Sequence, residues 1–319
     1  IHRLQRNFED AVQAYEQAIR LDPTYAWAHN GCGLAYKALD RKQDALMAFK
    51  RATRYQPEEV WHWYNLTEML VELRQYADAV EPARQATRTD ASHAFSWAKL
   101  GQVLRYVKRF DESLEAYDRS IELDSESAWA VNGRGIVLEQ MENYEDALEN
   151  YREAAALKPN DLWHWYNQGN VLVLLKRFDE AIEPLERATE IHPQHARSWA
   201  RLGNALRYLG RLDESLRACK RATGNAPNYA WAWNEQGITL EAMQRYEEAL
   251  DAFKHASEFA PKEAFYIYKQ TDVLTALNRN QEAVDLLEKA LAMDNRSAQI
   301  WAQYGQVLRR LGRLDEAMT

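Results

Sequence analysis

Cysteine is nearly absent. Two residues in 319, Cys32 and Cys219, cannot build a disulfide framework, and their spacing fits no metal-ligand pattern. A reducing cytoplasm is the expected compartment. No apolar run is long enough to span a bilayer, and no secretory signal is visible, so no membrane partner is expected. Low-complexity linkers are missing. An excess of positive charge is missing too: 40 Lys and Arg stand against 48 Asp and Glu, a net charge of −8, which argues against nucleic acid as a partner. The constellations of catalysis are also lacking. There is no HExxH, the GxG pieces Gly31–Gly33 and Gly133–Gly135 follow no strand pattern, and the histidines are scattered. Neither an enzyme nor a cofactor is expected.

What the chain does have is a period. A small residue recurs every 34 residues without slipping: Ala11, Ala45, Ala79, Ser113, Ala147, Ala181, Ser215, Ala249, Ala283 and Ala317. A second small position follows seven residues later, from Ala18 to Ala290, and Pro often falls five further on, as at Pro23, Pro57, Pro159, Pro193, Pro227 and Pro261. Proline does not continue a helix, so these mark boundaries. Numbered from the third residue after that position, repeats start at 26, 60, 94, 128, 162, 196, 230, 264 and 298. Position 8 is usually Gly and position 4 usually Trp, as at Trp63, Trp97, Trp165, Trp199, Trp233 and Trp301. Apolar residues at 4, 7 or 8, 11, 17, 20, 24 and 27 predict two amphipathic helices per unit, with Gly210 and Gly312 in the turn between them.

This pattern resembles the tetratricopeptide repeat family. The resemblance spans the whole chain. It implies an all-α fold, a right-handed superhelical α-solenoid with first helices lining a concave groove and second helices on the convex side. Residues 1–25 are expected to hold the second helix of a partial repeat, 26–297 eight complete repeats, and 298–319 a truncated ninth. Without visible caps, and opening on Ile1, the chain reads as a fragment of a longer protein. In the family pattern both cysteines occupy core positions, as does position 4. Pro82 and Pro184 fall inside second helices and are expected to bend them.

A slower period runs through the same residues. Repeats match their third neighbour best, a super-repeat of 102 residues: AWAHNGCG at 26 matches AWAVNGRG at 128, VWHWYN at 60 matches LWHWYN at 162, and AFSWAKLGQVLRY at 94 matches ARSWARLGNALRY at 196. Groove chemistry should therefore recur every third repeat. The resemblance implies that positions 2, 5, 6, 9, 12 and 13 face the groove. First-class repeats place there Trp27, Trp129, Trp231, Asn30, Asn132 and Asn234. Second-class repeats place Trp61, Trp163, Tyr64, Tyr166, Asn65, Asn167 and Asn170. Third-class repeats place Lys99, Arg105, Tyr106, Arg197, Arg201, Asn204, Arg207 and Tyr208.

These residues imply a protein-interaction scaffold. The tryptophans would supply apolar contact or pack down on the preceding repeat. The asparagines would grip a peptide backbone, because an amide both donates and accepts, as in the asparagine ladder of O-linked N-acetylglucosamine transferase. Lys99, Arg105, Arg201 and Arg207 would hold carboxylates or pair with Glu139 and Glu241. Asn167, Arg197 and Arg201 match part of the family's carboxylate clamp. The expected ligand is an extended or helical, acidic segment of a partner protein. Two other readings remain open: an arm of a longer signalling ATPase, protease or glycosyltransferase, and end-to-end self-association of the solenoid.

Overall fold

The protein is described by a computed structural model covering residues 2–293 and 296–313. Ala317 and any second helix of the ninth repeat lie outside the described residues. Those described form eighteen α-helices and no strand, an α-solenoid of helix pairs. First helices are 13 residues long and second helices after the first are 14, as in α2 and α3.

The chain divides into two compact units, Ile1–Pro159 and Asn160–Thr319. The first contains α1 (His2–Leu21), then the pairs α2 (Ala26–Ala38) and α3 (Lys42–Tyr55), α4 (Val60–Glu72) and α5 (Tyr76–Thr89), α6 (Ala94–Tyr106) and α7 (Phe110–Leu123), and α8 (Ala128–Gln140) and α9 (Tyr144–Leu157). The second contains α10 (Leu162–Leu174) and α11 (Phe178–Ile191), α12 (Ala196–Tyr208) and α13 (Leu212–Asn225), α14 (Ala230–Ala242) and α15 (Tyr246–Phe259), α16 (Ala264–Ala276) and α17 (Asn280–Met293), and finally α18 (Ala298–Arg310). Within each unit every helix packs on the next, and first helices of successive repeats lie side by side.

The small residues permit this packing. Gly101 leaves room for the ring of Tyr117, which would stand 2.8 Å from a Cβ placed there. Serine at the alanine phase keeps the close approach and adds a bond: Ser113 and Ser215 each donate to the position-8 carbonyl, of Gly101 and Gly203, at 2.7 Å. Both cysteines are buried, as their core positions implied.

Each turn between paired helices closes the same way. Position 15 is left-handed at Asp40, Arg74, Lys108, Glu142, Lys176, Gln244 and Asn278 as well as at Gly210 and Gly312. The next N–H then reaches back five residues, as from Arg41 to Tyr36 O at 2.8 Å and from Arg211 to Leu206 O at 2.9 Å, which satisfies an end carbonyl of the first helix. Where the residue making that bond is an arginine, its side chain pairs with the acid three residues later, as Arg41 with Asp44 at 2.7 Å and Arg211 with Glu214 at 2.7 Å. The recurring carboxylates thus serve an ion pair as well as the helix start.

Position 4 does more than fill the core. Four of its tryptophans are half-buried and donate the indole N–H to the carbonyl six residues earlier: Trp63 to Pro57 at 2.7 Å, Trp97 to Ala91 at 2.9 Å, Trp199 to Pro193 at 2.8 Å and Trp233 to Pro227 at 2.7 Å. His29 makes the same bond to Pro23 at 2.9 Å. Trp301, expected in the core, is 49% exposed. Pro82 and Pro184 do not end their helices, since α5 and α11 keep 14 residues each.

Candidate partner-binding face

In each unit the first helices present one row of side chains, and its environment decides what remains available. Tryptophans at position 2 divide into two groups. Trp27, Trp61 and Trp163 are exposed. Each meets a histidine edge-on: Trp27 with His62 at 4.9 Å, Trp61 with His93 at 4.7 Å, and Trp163 with His195 at 5.2 Å between ring centroids. Tyr64 and Tyr166 complete the latter two clusters, 6.2 and 5.3 Å from the same imidazoles. Burial pushes the His62, His93 and His195 rings below the ordinary imidazole value, and His192 and Arg197 add to the effect at His195. Trp129 and Trp231 instead pack down, Trp129 against a cluster containing Tyr117 and Trp231 against one containing Ala222 of the preceding second helix.

The asparagine ladder is a correction. Asn30, Asn132, Asn204 and Asn234 are buried rather than presented to a ligand. A buried amide bonds to what is beside it. Asn65 donates to Asn30 Oδ1 at 2.9 Å, and Asn204 donates to Glu235 Oε2 at 2.8 Å. Asn167 and Asn170, on α10, are half-buried and make contacts of their own.

The basic lining is corrected as well. Lys99 is only 7% exposed. Its ammonium lies 5.3 Å from the Tyr64 ring and 5.0 Å from the Trp129 ring, with Glu68 at 3.9 Å. Burial lowers its pKa, and Glu68 resists that shift. Lys37 meets the same Glu68 at 2.6 Å and Glu72 at 2.8 Å. Arg207 pairs with Glu235 at 3.4 Å, not with Glu241, which meets Lys269 at 3.4 Å. Arg105 and Arg207 lie over Tyr106 and Tyr208, and these rings stack on Tyr76 and Phe178 at 4.4 and 4.2 Å. Carboxylates therefore stand among the cations, because adjacent helices bring position 6 of one repeat beside positions 9 and 12 of its neighbour.

Arg197 and Arg201 on α12 escape this neutralisation. Neither has an ion pair among the described residues; Arg197 is exposed, and Arg201 lies over the Trp231 ring at 4.7 Å. Tyr229 is within electrostatic reach of both and of Tyr166. The matching place in the first unit explains the difference. There Glu68 stands where the second unit has Asn170, Phe95 where it has Arg197, and Ser127 where it has Tyr229. Deleting one acid and adding one arginine leaves an unpaired basic cluster on α12.

Pairs of packed helices that expose a row of aromatic and charged side chains define a repeat scaffold. Among the described residues no group of three His, Cys, Asp or Glu could hold a metal, and no helix is long and apolar enough to cross a membrane. The chain belongs to the tetratricopeptide repeat family, whose motifs match residues 1–40, 32–94, 92–160, 126–194, 194–262 and 274–319. No curated protein sequence matches it. Among solved structures it is similar to YrrB, "a TPR protein with an unusual peptide-binding site", at 26% identity over 58% of this chain and 96% of that one, with a TM-score of 0.51. It also resembles a chain of the APC/C hetero-tetramer Cut9–Hcn1, at 14% identity, 93% and 59% coverage and TM-score 0.61. The Pseudomonas aeruginosa protein PilF is similar at 16% identity, 69% and 98% coverage and TM-score 0.58. The family and the likeness to YrrB support a scaffold for protein interaction.

Proposed function

We propose that the first-helix face of the second unit holds an extended or helical, acidic segment of a partner protein. The observation that carries this reading is the pair Arg197 and Arg201, free of ion pairs among the described residues and flanked by Tyr166, Tyr229 and Trp231. A guanidinium offers two parallel N–H bonds to a carboxylate, and neighbouring rings shield that contact from water. Trp163 supplies exposed apolar area beside it. The peptide-binding likeness to YrrB favours a peptide as the occupant.

The test uses a fluorescent nonapeptide alternating Glu and Leu, followed by anisotropy. Changing Arg197 and Arg201 together to Ala should weaken binding at least about ten-fold, the scale of one or two charge-assisted contacts. Changing Arg221 to Ala, on a second helix, should leave it unaltered. Equal affinity in the double variant, with circular dichroism unchanged, would refute the reading.

A further inference from the structure

Position 12 of the first helix carries a cation in three repeats whose following first helix is described: Lys37, Arg105 and Arg207. Two of the three are neutralised from that following helix. Lys37 meets Glu68 and Glu72, at positions 9 and 13, at 2.6 and 2.8 Å. Arg207 meets Glu235, at position 6, at 3.4 Å. The fourth repeat has no acid at any of these places: its positions 6, 9 and 13 are Gly133, Ile136 and Gln140. Arg105 accordingly has no ion pair among the described residues. It bonds the neutral hydroxyl of Tyr117 and lies over the Tyr106 ring at 4.4 Å. Glu139, beside Gln140, accepts the Tyr151 hydroxyl at 2.6 Å instead.

The uncompensated guanidinium lines a cleft of about 420 Å³, together with Tyr106, Lys108, Phe110 and Gln140. Lys108 stands in the turn between α6 and α7, is exposed, and likewise has no ion pair among the described residues. The lining thus holds two cations, two aromatic rings and one amide, and no carboxylate. Glu112 of α7 is engaged by Arg84 and Arg109. The equivalent place in the sixth repeat is built differently. There Gly210 stands for Lys108, Leu212 for Phe110 and Ala242 for Gln140, and Arg207 is claimed by Glu235.

We propose that this cleft holds the C-terminal carboxylate of a partner protein whose last residue is apolar. A carboxylate accepts two parallel N–H bonds from a guanidinium and has lone pairs left for an ammonium. Stacking on Tyr106 already orients the Arg105 plane, so little freedom is lost on binding. A chain end suits the lining better than an acidic side chain does. Its side chain and its carboxylate leave the same α-carbon, so the rings of Tyr106 and Phe110 and the two cations are met together. The cleft falls in the range of about 300–1,000 Å³ usual for small-ligand sites, room for a residue rather than a bare ion. The Gln140 amide serves the last peptide group, since it both donates and accepts. The site lies in the first unit and uses no residue of the α12 cluster, so it stands or falls separately from the segment proposed there.

The test titrates the protein with N-acetylphenylalanine while the Arg105 Nε–H and Lys108 backbone N–H resonances are followed by NMR. Both should shift saturably. Three probes should bind at least about ten-fold more weakly: N-acetylphenylalanine amide, which lacks the charge, N-acetylaspartic acid α-amide, whose carboxylate lacks the apolar neighbour, and inorganic phosphate. Gln140→Glu supplies the acid that Glu72 supplies to Lys37, and should also weaken binding at least about ten-fold. Gln43→Glu makes the same charge change on α3 and should leave binding intact, as should changing Arg197 and Arg201 together to Ala. Shifts that fail to saturate, equal affinity for any of the three comparison probes, or unaltered affinity in Gln140→Glu overturns the proposal.

Discussion

Tyr117 and Gly133 show how residues adapt to one another across the repeat boundary. A Cβ on Gly133 would meet the Tyr117 ring at 2.5 Å. Gly31 faces Tyr15 in the same way. One super-repeat further on the pair is Cys219 and Glu235: the smaller residue on the second helix makes room for a carboxylate, which then holds Asn204 and Arg207. Gly133→Ala should cost about 1–3 kcal/mol, the range for overpacking a filled interior. Tyr117→Cys should relieve part of it, so a double-mutant cycle by urea denaturation should give a coupling of about 0.5 kcal/mol or more. Additive costs would show that ring and glycine do not compete for space. The exchange also explains why Arg207 resists reading from sequence. The acid that neutralises it replaces a glycine of the sister repeats, so the 102-residue comparison conceals it.

At the scale of the helix pair, the turn tolerates what its backbone disfavours. Left-handed φ costs a non-glycine residue about 1–2 kcal/mol, yet seven turns accept it to close the first helix. Gly210→Ala should therefore destabilise the protein by about 1 kcal/mol, and Arg74→Gly should stabilise it by a few tenths, because glycine also loses more freedom on folding. Thermal denaturation of both variants checks the pair of signs. The pairing of helices and the phase of their small residues were legible from the 34-residue period. Gly210 and Gly312 disclosed the turn, and the same geometry at Asp40 or Lys176 was hidden because lysine and aspartate carry no strong signal for it. The bond from Trp97 to Ala91 O was hidden for another reason. A tryptophan at a core phase reads as apolar volume, and its N–H matters only once the boundary carbonyl is in place.

Across the whole molecule, each repeat supports mainly its neighbours, so damage should remain local. Hydrogen exchange of Gly133→Ala should accelerate in α6–α9 well before α2 and α3 respond. A uniform rise across the first unit would indicate one cooperative block instead. The charge pattern also has to be read at this scale. A net charge of −8 coexists with the unpaired arginines Arg197 and Arg201 on one first helix, while Lys37, Lys99, Arg207 and Lys269 are each matched by a glutamate on the adjacent helix.

The sequence alone determined the repeat, its helix pairs and its small-residue contacts. Periodicity encodes these directly, since residues at one phase must meet equivalent neighbours. Only the tertiary structure decided which of the first-helix side chains remain available. Asn204, Lys99 and Arg207 are claimed by residues 31 or 28 positions away, and Arg197 and Arg201 are not. The physical reason is that burial and charge pairing depend on a few ångströms between helices of different repeats, whereas the period records only the order within one.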